Sequence, residues 1–169
     1  MKRLRLAVLA FLIAGPALAQ SPVARVRTVI LVRHAERASA DSDSPLSAQG
    51  RERAQALAQM LRDTPLTAII TSQYARTRET ADPIAQHTHI TPDVLPADEL
   101  DAVLDKIGSS AGGTVLVVHH SNTVPAIVEK LGGRTAGMSE REFDRLLIIS
   151  VLPSASSVVT LRYGAPSAR

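Results

Sequence analysis

The chain of 169 residues has no cysteine and no tryptophan, and only two phenylalanines and two tyrosines. Without cysteine there is no thiol nucleophile, no disulfide framework and no thiolate metal site. Outside the first twenty residues the only rings of that kind are Tyr74, Phe143 and Tyr163, so Ala, Val, Leu and Ile must fill the core. Excess charge is also missing once the N-terminal segment is set aside. Three of the 19 basic residues are Lys2, Arg3 and Arg5, and the other 16 balance the 16 acids. The formal charge of +3 therefore makes no case for nucleic acid, and no basic patch interleaved with aromatics supports one.

That first segment reads as a secretory signal peptide over residues 1–19. A basic start precedes the apolar run Leu6–Ile13, and Ala17-Leu18-Ala19 forms an A-x-A cleavage signal. The run is short for a membrane span of about 20 residues, and no cysteine is present to carry a lipid. The expectation is a periplasmic or secreted protein with no stable membrane anchor after cleavage. Residues 20–169 then form one domain, long enough to bury a core without staples.

Strand and helix patterns alternate along that domain. Thr28–Val32 is a first strand, followed by a polar loop over 38–45. "LSAQGRERAQALAQMLRD" places Ala54, Leu57, Ala58 and Leu61 at helical spacing, with Gly50 weakening its first turn. "TAIITS" is a second strand, and "ARTRETADPIAQ" a helix with a kink or restart expected at Pro83. "PADELDAVLDKI" is a third helix, with Asp98 as a plausible N-cap. "GGTVLVVHH" is the most apolar strand; a helix over about 122–131 follows and Gly132-Gly133 stops it. "RLLIISV" and "SVVTLRY" read as a closing hairpin. The alternation predicts an α/β layered domain.

Three strand ends carry charge or imidazole where apolar residues would be expected. The first ends in Arg33-His34, the second leads through Ser72 to Arg76, and the third ends in His119-His120. If these strands are parallel, their carboxyl ends share the sheet edge where α/β proteins place ligands. Two histidines and two arginines then form one constellation.

"LVRHAER" resembles the Arg-His signature of the histidine phosphatase (phosphoglycerate mutase-like) superfamily. "TSQYARTRETA" resembles its S-x-x-x-R-T-x-x-T-A element, and "VVHHSNTVPAI" its second-histidine element. The three occur in the family's order, and the resemblance runs from about Val29 to the C-terminal "RYG". It implies a three-layer α/β sandwich with a mostly parallel central sheet flanked by helices. It also implies a metal-independent phosphatase with no cofactor, acting on a small-molecule or peptide-borne phosphate.

The resemblance makes His34 the nucleophile, becoming a phosphohistidine, and Arg33 and Arg76 the phosphate clamp. A neutral imidazole suits attack near pH 7, and a guanidinium fork suits phosphate oxygens. A backbone carbonyl is expected to hold the ring nitrogen of His34 that does not attack. His120, the histidine before Ser-Asn, is the second catalytic histidine, protonated when phosphate is bound and donating to it. His119 occupies the family's usual glycine position and is expected to narrow or reshape the pocket. Family members usually supply a carboxylic acid after the second motif. Here Asp98, Glu99 and Asp101 are the candidates, with Glu99 selected and Asp98 read as a helix cap.

Each of these residues also has a plainer reading. A strand-end histidine standing alone is as readily a surface residue, and an arginine is usually solvated; Arg37, Arg51 and Arg78 are assigned that fate. His87 and His89 would make a metal site with the other imidazoles, but no His-Glu-x-x-His or carboxylate-histidine spacing supports one. Glu36 is expected to pair with Arg33 or Arg37, and Ser121 and Asn122 to cap the following helix. Two other functions stand beside the phosphomonoesterase. One is removal of phosphate from protein phosphohistidine; the other is a phosphate-binding module of the same fold without turnover. The oligomeric state is not legible.

Overall fold

A computed structural model of the protein describes residues 27–110, 112–152 and 155–167. The segment read as a signal peptide lies outside them. The elements in chain order are β1 (Arg27–Arg33), α1 (Ala48–Leu61), β2 (Leu66–Ser72), α2 (Ala75–Thr88) and β3 (Asp93–Leu95). They continue with α3 (Leu100–Ser109), β4 (Thr114–His119), α4 (Thr123–Lys130), β5 (Arg145–Val151) and β6 (Ser157–Arg162).

The six strands form one sheet in the order β3-β2-β4-β1-β5-β6. β3, β2, β4 and β1 run parallel; β5 joins β1 antiparallel, and β6 closes the expected hairpin on β5. Strand periodicity divides the core between two faces. Val29, Leu31, Val115 and Val117 face α3 and α4, meeting Val103, Ile107, Val124 and Ile127. Ile30, Val32, Leu116 and Val118 face α1 and α2, meeting Leu57, Leu61, Ala81 and Ile84. This is the three-layer, mostly parallel sandwich that the resemblance implies.

Three local expectations need correction. α2 passes through Pro83 without a break, so no restart occurs there. α3 begins after Glu99, not Asp98, and Glu99 makes no side-chain cap bond. β3, only three residues between Pro92 and Pro96, was not expected.

Gly50 does more than weaken a turn. A Cβ at this position would lie 2.2 Å from the Glu36 carbonyl oxygen, so α1 packs against the chain after β1 only without a side chain there. Overpacking of this kind costs about 1–3 kcal/mol. Gly50→Ala is accordingly expected to lower the thermal midpoint by several degrees, measured by circular dichroism, despite the better helix propensity of alanine.

Candidate active site

β1 and β4 are parallel neighbours in register, with Arg33 opposite His119, so both chains leave the sheet at the same level. The His34 amide donates to the His119 carbonyl at 2.9 Å, which extends the ladder by one step and fixes the backbone of His34. The next amide, of Ala35, donates to Thr80 Oγ1 on α2 at 2.9 Å. β2 ends beside them at Ser72. The sheet edge thus gathers Arg33, His34, Ser72 and His120, all buried, with Arg76 from the first turn of α2.

The two histidine rings meet edge to face, their centroids 5.3 Å apart. His34 Nδ1 lies 2.7 Å from the Ala35 carbonyl oxygen. A carbonyl only accepts, so Nδ1 carries the proton and Nε2 keeps its lone pair. Burial, reinforced by the positive charges of Arg33 and Arg76 and opposed by that hydrogen bond, pushes the pKa of His34 down to about 3. The ring is therefore neutral throughout the physiological range. His120 Nε2 lies 3.0 Å from Ser72 Oγ, which also bonds Thr77 Oγ1 at 2.9 Å. Burial and then the neighbouring His119, His34 and Arg76 push the pKa of His120 down to about 2. It is neutral in the unliganded protein; only an anion set against it would favour its protonated form.

The arginines are held from behind. Arg33 stacks on Phe143 at 4.2 Å and donates through Nη1 to the Ser139 carbonyl at 3.0 Å. Its Nη2 donates to Glu140 Oε2 at 2.9 Å. Arg76 stacks on Tyr74 at 4.2 Å and donates through Nη1 to the Ser42 carbonyl at 2.6 Å, so the polar loop anchors it. The same loop caps α2, because Asp43 Oδ1 accepts from the Ala75 amide at 2.6 Å. The Nε atoms of Arg33 and Arg76 are both buried and have no partner among the described residues. Two unpaired guanidinium donors beside two neutral imidazoles form an anion site in waiting, since such donors are costly to leave unmatched.

Several residues sit elsewhere than expected. Glu36 pairs with neither Arg33 nor Arg37 but with Arg53, at 2.7 Å and through two guanidinium nitrogens. Arg33's acidic partner is Glu140, more than a hundred residues away. Ser121 does not cap α4; its hydroxyl donates to Glu140, and Asn122 makes no cap bond either. That bond, foremost, and then Arg33 hold the Glu140 carboxyl below the usual range.

His119 does not itself line the pocket, but its ring lies against that of His120, the centroids 5.0 Å apart. Its ring is fully buried, turned toward α4, with Nδ1 2.5 Å from Thr123 Oγ1. Next to His120 and Arg76 opens a hollow of about 430 Å³, lined also by Tyr74, Asp98, Leu100 and Asn122. Glu99 is not among its walls. It lines an adjoining hollow with Asp101 and Lys130, because α3 starts one residue later than the cap reading assumed. Arg51 and Arg78 are exposed, as is Arg37. His87 bonds the Arg62 carbonyl, far along α2 from the site.

The residues missed from the sequence were Glu140, Phe143 and Tyr74, and Ser72 as a partner of His120. Ser72 and Thr80 were present in the quoted motif, which could have marked them; nothing in the sequence tied Glu140 to Arg33.

A model of the histidine phosphatase superfamily (branch 1) matches residues 29–101, which span Arg33, His34, Ser72 and Arg76. Over that stretch, less than half of its length, the chain is similar to the histidine phosphatase superfamily. An Escherichia coli protein described as "probable phosphoglycerate mutase GpmB" is 43% identical over 65 residues, covering 34% of this chain and 30% of that protein. The match thus spans less than a third of that curated relative's length. Among solved structures, a candidate α-ribazole-5'-P phosphatase of Escherichia coli superposes with a TM-score of 0.67 at 15% identity, covering 85% of this chain and 100% of that one. A candidate phosphohistidine phosphatase SixA of Nakamurella multipartitia gives 0.57 at 27% identity, covering 83% and 96%. The first likeness shows the fold alone.

Proposed function

We propose that this chain is a histidine phosphatase superfamily member and a metal-independent phosphomonoester hydrolase working through a phosphohistidine on His34. The observation that carries the reading is the state of that ring: buried, neutral, with Nδ1 locked to the Ala35 carbonyl and Nε2 free beside two guanidinium groups. His34 Nε2 attacks phosphorus, the ester P–O bond breaks, and the alcohol leaves, its oxygen protonated by water in the open hollow. Water then attacks the phosphohistidine, releasing inorganic phosphate and restoring the ring. Arg33, Arg76 and a protonated His120 hold the equatorial oxygens as charge develops. Glu99 has no part in this scheme, since it lies outside the hollow. The signal-peptide pattern read in residues 1–19 supports export to the periplasm or beyond.

Hydrolysis of phenyl phosphate, insensitive to EDTA and inhibited by vanadate, is the expected result; absence of turnover would contradict it and favour a phosphate-binding module. His120→Ala and Arg76→Ala are each expected to lower kcat/KM by about 10²–10³, the scale of one preorganised charge donor. A second reading, hydrolysis of protein phosphohistidine, draws on the likeness to the SixA structure. Faster turnover of a phosphohistidine peptide than of phenyl phosphate would favour it.

A further inference from the structure

We infer that the site selects phosphomonoesters whose alcohol carries a positive charge and rejects those with a second anion. The inference rests on the phosphatase reading and adds to it the chemistry of the leaving group. It starts from the charge balance of the hollow beside His120. The phosphate end is cationic, with Arg33 and Arg76 held in place from behind. The walls beyond it are Tyr74, Ala97, Asp98, Leu100, Asn122 and Thr123, of which Asp98 is the one acid.

Among the described residues no lysine or second arginine lines this hollow. Lys130, in the adjoining hollow that Asp98 also lines, is already paired with Asp101 at 3.0 Å, and the charge of Arg37 acts at the phosphate end, on Arg33, His34 and Arg76. The Asp98 carboxylate is exposed on the wall of the hollow and has no hydrogen bond or ion pair among the described residues, so no protein cation neutralises it there. Arg76 is engaged by the Ser42 carbonyl and Tyr74, and its remaining donors belong to the phosphate. An alcohol seated here therefore meets one uncompensated negative charge, an amide and two apolar surfaces. An ammonium group complements that surface, whereas a carboxylate or second phosphate is repelled by it.

A size-matched charge series tests this. Phosphoethanolamine, propyl phosphate and phosphoglycolate share a short alkyl ester and differ at the far end: cationic, neutral and anionic. kcat/KM is expected to fall in that order, with at least a tenfold separation between the first and the last. Asp98→Asn should compress the spread to within about threefold, and Asp98→Lys should reverse the order. The ratio within each protein is the readout, because a general loss of catalysis would lower all three substrates together. The surface exposure of Asp98 makes both substitutions compatible with folding. An unchanged ratio in both variants, or a preference of the native protein for phosphoglycolate, would overturn the inference while phenyl phosphate hydrolysis left the phosphatase reading standing. Failure to hydrolyse any of the four compounds would overturn that reading, and this inference with it.

Discussion

His34→Ala is expected to remove phosphomonoester hydrolysis to at least about 10⁴-fold below the native protein, a larger loss than for any other single residue of the site. The reason is specific to the geometry. The clamp residues stabilise charge and each shares that work with another, but only His34 presents a bare nitrogen fixed by its neighbour's carbonyl. Without it, water would have to attack the ester directly in a site arranged for a ring. The substitution leaves the Ala35 amide on Thr80 and the His34 backbone on His119. The variant should therefore fold, and a native-like thermal melt alongside the lost activity separates chemistry from stability. Activity within tenfold of native in a folded variant would contradict the assignment.

The second large effect concerns stability. Arg53 on α1 is buried, and its guanidinium grips both Glu36 carboxylate oxygens while Nη1 donates to the Tyr163 and Ala165 carbonyls at 3.1 and 2.8 Å. One side chain thus ties α1, the chain just after His34 and the C-terminal segment together. Arg53→Ala would leave the Glu36 carboxylate, itself only 13% exposed, without its partner. Breaking a buried pair from one side costs about 3–5 kcal/mol, which for a domain of this size lowers the thermal midpoint by roughly 10 °C. Removing both partners in Arg53→Ala/Glu36→Ala should cost less than the two single losses added together, since no charge is then stranded. A shift below about 2 °C for Arg53→Ala, measured by calorimetry, would mean that water reaches Glu36 freely. Because Glu36 is two residues from the nucleophile, weakened activity is expected to accompany the loss.

The sheet was legible where both faces are covered. β5 matches its expected bounds, and β1 and β4 differ by a residue or so, because buried parallel or central strands are unbroken apolar runs. β3 escaped notice because a three-residue edge strand between prolines carries no periodicity. Pro83 misled because a proline signals a break, although tertiary packing of Ala81, Ile84 and Ala85 holds α2 continuous across it.

The candidate site was legible to the extent that it lies in short motifs at strand ends. Arg33, His34, Arg76 and His120 come together because three parallel strands deliver them to one edge. Their supports were hidden for a different reason. Glu140 and Phe143 reach Arg33 from a loop more than a hundred residues later, and the link exists only once β5 lies beside β1. Glu36 was expected to pair with a near neighbour in sequence, yet the helix that Gly50 allows to approach closely brings Arg53 to it instead. His119 looked like a pocket residue from its place beside His120. Strand alternation turns it toward α4, where Thr123 holds it behind His120, the two rings 5.0 Å apart.

The most direct test of the central claim is a denaturing mass measurement on the native protein, mixed with an activated aryl phosphate and quenched in alkali, where phosphohistidine survives. A single phosphoryl adduct, mapped by fragmentation to His34, is the expected result. Turnover of the aryl phosphate with no adduct on His34 under single-turnover conditions would contradict it.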